Sequence, residues 1–163
     1  MSLFSEDTIY VSEKNSQTAV FEEIYQSLLA KKLVSENFLD NLIEREVNYP
    51  TGLDLAPISQ ELPNIAIPHT ESEFVNTTRI VPIKLKKDIP FHNMIQPDEV
   101  MNVRFLFMIL NQNGEEQSGL LADIMDFINS VEQTELIQFF NEEDPKMIYQ
   151  FLKKNFKGEN LND

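Results

Sequence analysis

His69 is the residue of this sequence whose type and position could support a chemical role. It follows the apolar residues 65–67 and Pro68, a pattern typical of a short buried strand that a proline ends. Sheet proteins commonly expose reactive groups at strand ends, and an imidazole there could take up a proton or a phosphoryl group near neutral pH. The chain has only two histidines and no cysteine, so few other side chains could do this. From this stretch alone, a histidine with a structural role is the favoured interpretation.

Arg45 is the second side chain with a possible part in such chemistry. Phe38, Leu42 and Arg45 stand at positions i, i+4 and i+7 of a predicted helix, so they share its core-facing stripe. A guanidinium that leans inward needs an anion nearby. The alternative is a cation at a helix C-terminus or one paired with a neighbouring glutamate, and the residues alone favour that alternative.

Other common chemistries find no support in the sequence. It has no glycine-rich phosphate loop, no H-x-x-x-H zinc pattern and no G-x-S-x-G nucleophile turn. His92 has no partner signal and is interpreted as a loop or edge histidine. The net charge of −14 argues against nucleic acid and fits either a basic protein partner or simple solubility. We therefore expect no metal and no cofactor.

Alternating strands and helices are predicted to position these residues. Residues 103–110 are apolar at almost every position, which indicates a strand covered on both faces. Pro82 suggests that the strand over residues 78–85 lies at an edge or has an irregular ladder. Strands are predicted over residues 8–12, 65–67, 78–85, 89–91 (a short partner strand) and 103–110, and helices over 16–32, 36–47, a stretch from 115, 134–140 and a stretch from 145.

The length and composition indicate one domain over residues 1–156, followed by a polar tail at residues 157–163. The first residues lack the basic region and apolar core of a signal peptide. No apolar run approaches the ~20 residues that span a bilayer. Together with the absence of cysteine, this leads us to expect a cytoplasmic protein.

Three segments together resemble the IIA components of the sugar phosphotransferase system, in its fructose–mannitol superfamily. The run R-E-V-N-Y-P-T-G-L that starts at Arg45 is similar to the family's arginine followed by a P-T-G turn. The run I-A-I-P-H that ends at His69 matches the signature around the family's phosphorylated histidine. Residues 111–121 resemble the loop and helix start that complete the active site. The resemblance covers about residues 16–151, nearly the whole chain.

This resemblance implies both a fold and an activity. The fold would be α/β, a three-layer α/β/α sandwich with a central mixed β-sheet, like that of mannitol IIA. The protein would be a phosphotransferase: His69 would accept a phosphoryl group from the phosphocarrier HPr and pass it to a cysteine of a IIB component, which phosphorylates a sugar entering through the membrane component IIC. Arg45 would clamp the phosphate oxygens. The N–H groups after His69 would add to the anion site, with Thr70 as a further contact.

One position departs from the pattern of the mannitol and fructose types. Those members carry a second histidine where this sequence has Gln117. A glutamine there, with Y-P-T-G upstream, resembles the galactitol-type branch, which implies galactitol or a related polyol or sugar as the transported compound. Gln117 would then serve as a neutral hydrogen-bond donor to the phosphoryl group.

Three alternatives remain open at this point. A regulatory member of the superfamily would be phosphorylated on the same histidine without feeding a transporter, and phosphate flow to a IIB protein would separate the two. A catalytically silent binding module is disfavoured because both Arg45 and His69 are present. A metal hydrolase is disfavoured by the number of histidines.

Overall fold

A mixed β-sheet forms the centre of the structure. The computed structural model describes residues 2–114 and 117–157, with the side chains of all of them except residues 117 and 118. The strands in this part of the chain are β1 (Tyr10–Ser12), β2 (Gly52–Leu53), β3 (Asn64–Ala66), β4 (Thr78–His92) and β5 (Val100–Asn111). They lie in the order β1-β4-β5-β3-β2. The β1–β4 and β3–β5 pairs are parallel, whereas the β4–β5 and β2–β3 pairs are antiparallel.

Helices cover both faces of this sheet. Within the described ranges they are α1 (Gln17–Ala30), α2 (Phe38–Asn48), α3 (Gln117–Ser130), α4 (Gln133–Asn141) and α5 (Pro145–Asn155). Apolar residues of α1 and α2 pack on one face, and those of α3, α4 and α5 pack on the other. This confirms the predicted three-layer arrangement around a central mixed sheet. No helix in the described ranges combines the length and apolar character needed to cross a membrane.

β5 is the strand that separates the two cores. Phe105 and Phe107 enter the core beneath α3, α4 and α5, while Leu106 and Met108 enter the core beneath α1 and α2. All four side chains are fully buried. Because successive side chains of a strand point to opposite faces, a strand between two helical layers must be apolar throughout. The prediction that residues 103–110 form a strand covered on both faces is confirmed.

One predicted strand is wrong. Residues 89–91 do not form a separate partner strand, because β4 runs without a break from Thr78 to His92. Its pairing with β5 shifts register between Lys84 and Ile89, and this irregularity takes up the polar residues 86–88, which lie between the two predicted strands. Residue 115, where a helix was predicted to start, and most of the predicted tail, residues 158–163, lie outside the described residues.

Pro82 lies in an interior strand and not at an edge, since β4 is paired on both sides. The Ile80 N–H donates to the Leu3 carbonyl, on the side of β4 that faces away from β5. In a strand, the N–H groups of residues i and i+2 point to the same side. An N–H group at Pro82 would therefore also point away from β5. The β4–β5 ladder therefore loses no hydrogen bond to the proline, and its irregularity lies further along the strand.

The sheet holds His69 at the carboxyl end of β3. Because β3 and β5 are parallel, their carboxyl ends lie at the same edge of the sheet. Just beyond β3, the Pro68 carbonyl accepts a hydrogen bond from the Ile109 N–H at 3.0 Å, and His69 forms a bridge with Ile109. This pairing carries His69 alongside the last residues of β5.

Gly52 in β2 should be intolerant of a side chain. A Cβ at this position would lie 2.6 Å from the His92 carbonyl oxygen and 2.9 Å from the Met101 sulfur. Because overpacking a tight contact usually costs about 1–3 kcal/mol, Gly52→Ala should lower the free energy of unfolding in urea by that amount. Gly119→Ala is the matched control, since a Cβ there meets nothing within 4 Å and alanine suits a helix better than glycine. Equal stabilities of wild type and Gly52→Ala would contradict the predicted close approach.

Candidate functional site

A small pocket lies at the sheet edge where β3 and β5 end. Its volume is about 140 Å³. Pockets for small organic ligands are usually larger, from ~300 Å³ upward, so this one suits a phosphoryl group better than a sugar. Three residues predicted for the site from the sequence, together with four others, form its wall: Arg45, His69, Thr70, Glu71, Ser72, Asn111 and Gly114.

His69 is half-buried, and one of its ring nitrogens is engaged by the main chain. Nδ1 lies 3.0 Å from the Ile67 carbonyl oxygen. A carbonyl can only accept, so Nδ1 carries the proton and, in the neutral ring, Nε2 carries the free lone pair. Burial lowers the pKa of His69, the hydrogen bond to Ile67 opposes that effect, and the Arg45 charge adds to the lowering. The ring is therefore neutral near pH 7, with a nucleophilic Nε2.

Arg45 lies in the last turn of α2, beyond the buried Phe38 and Leu42 of the predicted stripe. Its Nη1 is 2.8 Å from Oε1 of Glu71, and its guanidinium lies over the Tyr49 ring, 5.2 Å from the centroid. The Nε atom is buried and has no hydrogen-bond partner among the described residues. The structure thus agrees with both interpretations of Arg45. The guanidinium pairs with a glutamate, and it also keeps a buried N–H whose hydrogen bond a second anion could accept.

The segment after His69 is fastened to α2 by Glu71. Its N–H donates to Asn41 Oδ1 at 2.9 Å, and its carboxylate accepts from Arg45. Asn41 and Arg45 are four residues apart, so they stand one turn from each other on the same helix face. The Thr70 hydroxyl donates to the Glu71 carbonyl at 2.9 Å. Sequence reasoning missed Asn41 and Glu71, and the spacing of Asn41 and Arg45 was the available signal.

A buried carboxyl group follows Arg45 directly in α2. Glu46 accepts two hydrogen bonds from Thr51, one from the N–H at 2.7 Å and one from the hydroxyl at 2.8 Å. The Ile67 N–H in turn approaches Thr51 at two oxygens, the hydroxyl at 3.2 Å and the carbonyl at 3.3 Å. Sequence reasoning assigned no role to Glu46, although its position four residues after Leu42 places it on the buried stripe of α2.

Two residues from the sequence analysis remain: Gln117, the last one predicted for the site, and His92, the second histidine. Gln117 is the first described residue of α3, and its side chain lies outside the described residues, so its contact with the site stays a prediction. Asn111 and Gly114, in the segment before α3, do line the pocket. His92 is exposed at the end of β4, where Nδ1 lies 2.7 Å from the Pro97 carbonyl oxygen. It lines a different surface depression from the one that contains His69.

Comparison with known proteins gives consistent matches over almost the whole chain. The family model described as phosphoenolpyruvate-dependent sugar phosphotransferase system, EIIA 2, matches residues 2–155. The galactitol-specific EIIA component of the phosphotransferase system from Escherichia coli K12 is 26% identical over 133 residues, which cover 76% of this chain and 85% of that protein.

Two solved structures share the fold at lower identity. The crystal structure of mannitol IIA from Escherichia coli superposes with a TM-score of 0.69 at 14% identity, covering 91% of this chain and 98% of that one. The Escherichia coli complex of enzyme IIA for mannitol with phosphorylated enzyme IIB superposes with a TM-score of 0.60 at 15% identity, covering 99% of this chain and 96% of the other.

Glu46 should make the stability of the protein depend on pH. Burial raises the pKa of its carboxyl from an ordinary 4.5 to about 7, against the two hydrogen bonds from Thr51 that lower it. A raised folded-state pKa means that the folded form favours the proton. The contribution is therefore fully present below pH 4.5 and is lost as the pH rises through 7.

Glu46→Gln removes this titration. The free energy of unfolding of the wild type should fall relative to that of Glu46→Gln as the pH rises over this range, by on the order of 3 kcal/mol. Urea unfolding at a series of pH values measures the difference. Glu44→Gln, an exposed change on the same helix, is the control for the substitution itself. A constant difference for Glu46→Gln would show that this carboxyl keeps an ordinary pKa.

Proposed function

The chain belongs to the phosphoenolpyruvate-dependent sugar phosphotransferase system EIIA 2 family, whose members are phosphotransferase components, and on that premise we propose its reaction. His69 accepts a phosphoryl group from the phosphocarrier HPr and passes it to a IIB component. The observation that carries the proposal is the hydrogen bond from Nδ1 of His69 to the Ile67 carbonyl, in a pocket shared with Arg45. It leaves Nε2 as the nitrogen that can attack phosphorus.

The transfer needs no group beyond the two partners. Nε2 of His69 attacks the phosphorus of phospho-HPr, and a new N–P bond forms as the bond to the carrier breaks. The Nδ1 proton stays in place, because the Ile67 carbonyl stabilises the positive charge that the ring acquires. In the second step a cysteine thiolate of the IIB component attacks the phosphorus, and the His69 N–P bond breaks. Such reactions ask a protein mainly for positioning and charge stabilisation.

Arg45 would provide that charge stabilisation. A buried N–H without a partner costs free energy, on the order of 1–3 kcal/mol, and a phosphoryl oxygen would satisfy the Nε donor. The guanidinium is held in place by Glu71 and by the Tyr49 ring, so little conformational freedom remains to be lost when the anion arrives. Its charge is permanent, which suits a group with more than one negative charge.

Two further contacts belong to the proposal. Thr70 lines the pocket next to His69 and would contact the phosphoryl group. Gln117, at the start of α3, would donate a hydrogen bond from its side-chain amide. Because an amide does not titrate near neutral pH, this contact would be present whether the surroundings are mildly acidic or mildly basic.

The partners and the transported compound follow from the relatives and from charge. A structural relative is a IIA protein in complex with phosphorylated IIB, which supports a IIB component as the acceptor. The proposal adds the membrane component IIC as the partner of that IIB component. The net charge of −14 favours docking of a basic carrier and disfavours nucleic acid. The galactitol-specific relative supports galactitol or a related polyol or sugar as the transported compound. The proposed place of the reaction is the cytoplasm.

His69 should be the one site of phosphorylation. Incubation with phosphoenolpyruvate, enzyme I and HPr should add one acid-labile phosphate, which peptide mapping should assign to His69. His69→Ala should abolish the labelling, whereas His92→Ala should leave it unchanged because His92 lies outside the pocket. Label that persists in His69→Ala and maps to His92 would refute the assignment.

The same labelled protein separates transport from regulation. When a galactitol-type IIB protein is added, the label should move to the IIB cysteine, and membranes containing the matching IIC component should then produce sugar phosphate. Label that stays on His69 in the presence of several IIB proteins would support the regulatory alternative instead.

Arg45→Lys should slow transfer while the fold is retained. Lysine keeps the charge but loses the forked donor set and the buried Nε. Arg45→Ala should cost about 2–4 kcal/mol of transition-state stabilisation, measured from the rate of transfer from phospho-HPr. The matched control is Arg79→Lys, because Arg79 is similarly exposed (24% against 26%) and also pairs with one carboxylate, that of Asp7. Equal transfer rates in wild type and Arg45→Ala would remove Arg45 from the reaction.

A further inference from the structure

A continuous series of hydrogen bonds connects a buried carboxylate to the reactive imidazole. It runs from Glu46 to the Thr51 hydroxyl, from that oxygen to the Ile67 N–H, and from the Ile67 carbonyl to Nδ1 of His69. Glu46 and Thr51 are 5% and 4% exposed, so water does not compete for these contacts. The mechanism above uses only the last of them.

The carboxylate decides which way the Thr51 hydroxyl points. A hydroxyl has one proton to donate and two lone pairs to offer. Since the Thr51 hydroxyl donates its hydrogen bond to Glu46, it presents a lone pair to the Ile67 N–H. The second oxygen of Glu46 holds the Thr51 N–H, which fixes the main chain on which this hydroxyl stands.

The effect on His69 is one of position. The N–H and the carbonyl of Ile67 belong to different peptide groups, so charge is not relayed through one conjugated unit. Ile67 precedes Pro68, and a residue before proline is restricted to an extended backbone. With its N–H fixed at Thr51 and its ψ angle restricted by Pro68, Ile67 has little freedom left in the direction of its carbonyl.

We propose that Glu46 and Thr51 are positioning residues for His69, because together they fix the Ile67 carbonyl that holds the proton on Nδ1 and leaves Nε2 as the nucleophile. Neither residue lines the pocket, so both act through Ile67 and not on the phosphoryl group. The inference rests on the proposed function in taking Nε2 as the phosphoryl acceptor. Its structural core, control of the His69 tautomer, can be tested without any phosphoryl donor.

The first measurement is the tautomer of His69, read from two-bond proton–nitrogen correlations of isotopically labelled protein at a pH where the ring is neutral. The wild type should show the proton on Nδ1. Thr51→Val keeps the shape of the side chain but removes the hydroxyl, and it should move His69 toward a mixture of the two tautomers. Thr51→Ser restores the hydroxyl and should restore the Nδ1–H form. Thr18→Val, an exposed change in α1, is the matched control.

The second measurement is the rate of transfer from phospho-HPr. Loss of one directed hydrogen bond should slow Thr51→Val by about tenfold, with Thr51→Ser recovering most of the rate. Glu46→Leu should slow transfer by a similar factor, because the hydroxyl then loses the acceptor that orients it. The double variant should be no slower than the slower single variant, since both changes interrupt one pathway.

The outcomes separate the inference from the proposed function. A wild type that carries its proton on Nε2 overturns the inference at once, whether or not any variant folds. An unchanged tautomer in folded Thr51→Val also overturns it. A fall in the transfer rate would not rescue the inference, because a general loss of stability could lower the rate without any change of tautomer. If the wild type has the Nδ1–H tautomer, Thr51→Val disturbs it and the wild type takes no phosphate from HPr, the positioning role is supported and the proposed reaction is refuted.

Discussion

The parallel pairing of β3 with β5 is the constraint on which the site depends. It continues past the end of β3 through the hydrogen bond between the Ile109 N–H and the Pro68 carbonyl, so His69 cannot move independently of the buried centre of the sheet. Moving β3 along β5 by one residue would turn Ile65 and Ile67 out of one core and into the other. The position of the imidazole is thus secured by the same packing that stabilises the fold.

Three ionisable side chains, those of His69, Glu46 and Arg45, lie in different electrostatic environments. Burial disfavours the charged forms of both His69 and Glu46, and only Glu46 receives two hydrogen bonds in return. Arg45, whose charge is permanent, pairs with a half-exposed carboxylate, that of Glu71. The candidate site therefore combines an imidazole whose neutral form is favoured with a fixed cation, a combination that favours an incoming anion over a cation or a neutral ligand.

The parts of this structure that were predictable from sequence are those in which local pattern and long-range packing agree. The apolar spacing of α1 and the unbroken apolar run of β5 each reflect one dominant environment, so periodicity identified them. The continuity of β4 through its polar residues was not predictable, because the register shift is imposed by the partner strand. The sheet order could likewise not be derived from spacing, and the family resemblance implied only a central mixed sheet between helices.

Within the site, the same distinction applies. His69 and Arg45 were candidates from their positions in their own elements, but the residues alone favoured structural roles and the family resemblance favoured functional ones. Glu71 was not a candidate, since an acidic residue in a polar loop carries no local signal, and its partners Asn41 and Arg45 lie on a helix far away in sequence. Glu46 was hidden among the many other acidic residues of the chain, although its position four residues after Leu42 places it on the buried stripe of α2.

The order of strands has one more consequence, which concerns self-association. The long strands β4 and β5 lie inside the sheet, and the two edges are formed by β1 and β2, with only three and two residues. An exposed edge offers unpaired N–H and C=O groups to another chain, and short edge strands offer few of them. The apolar strands next to His69 are thereby shielded from edge-to-edge pairing, which is a common route to aggregation.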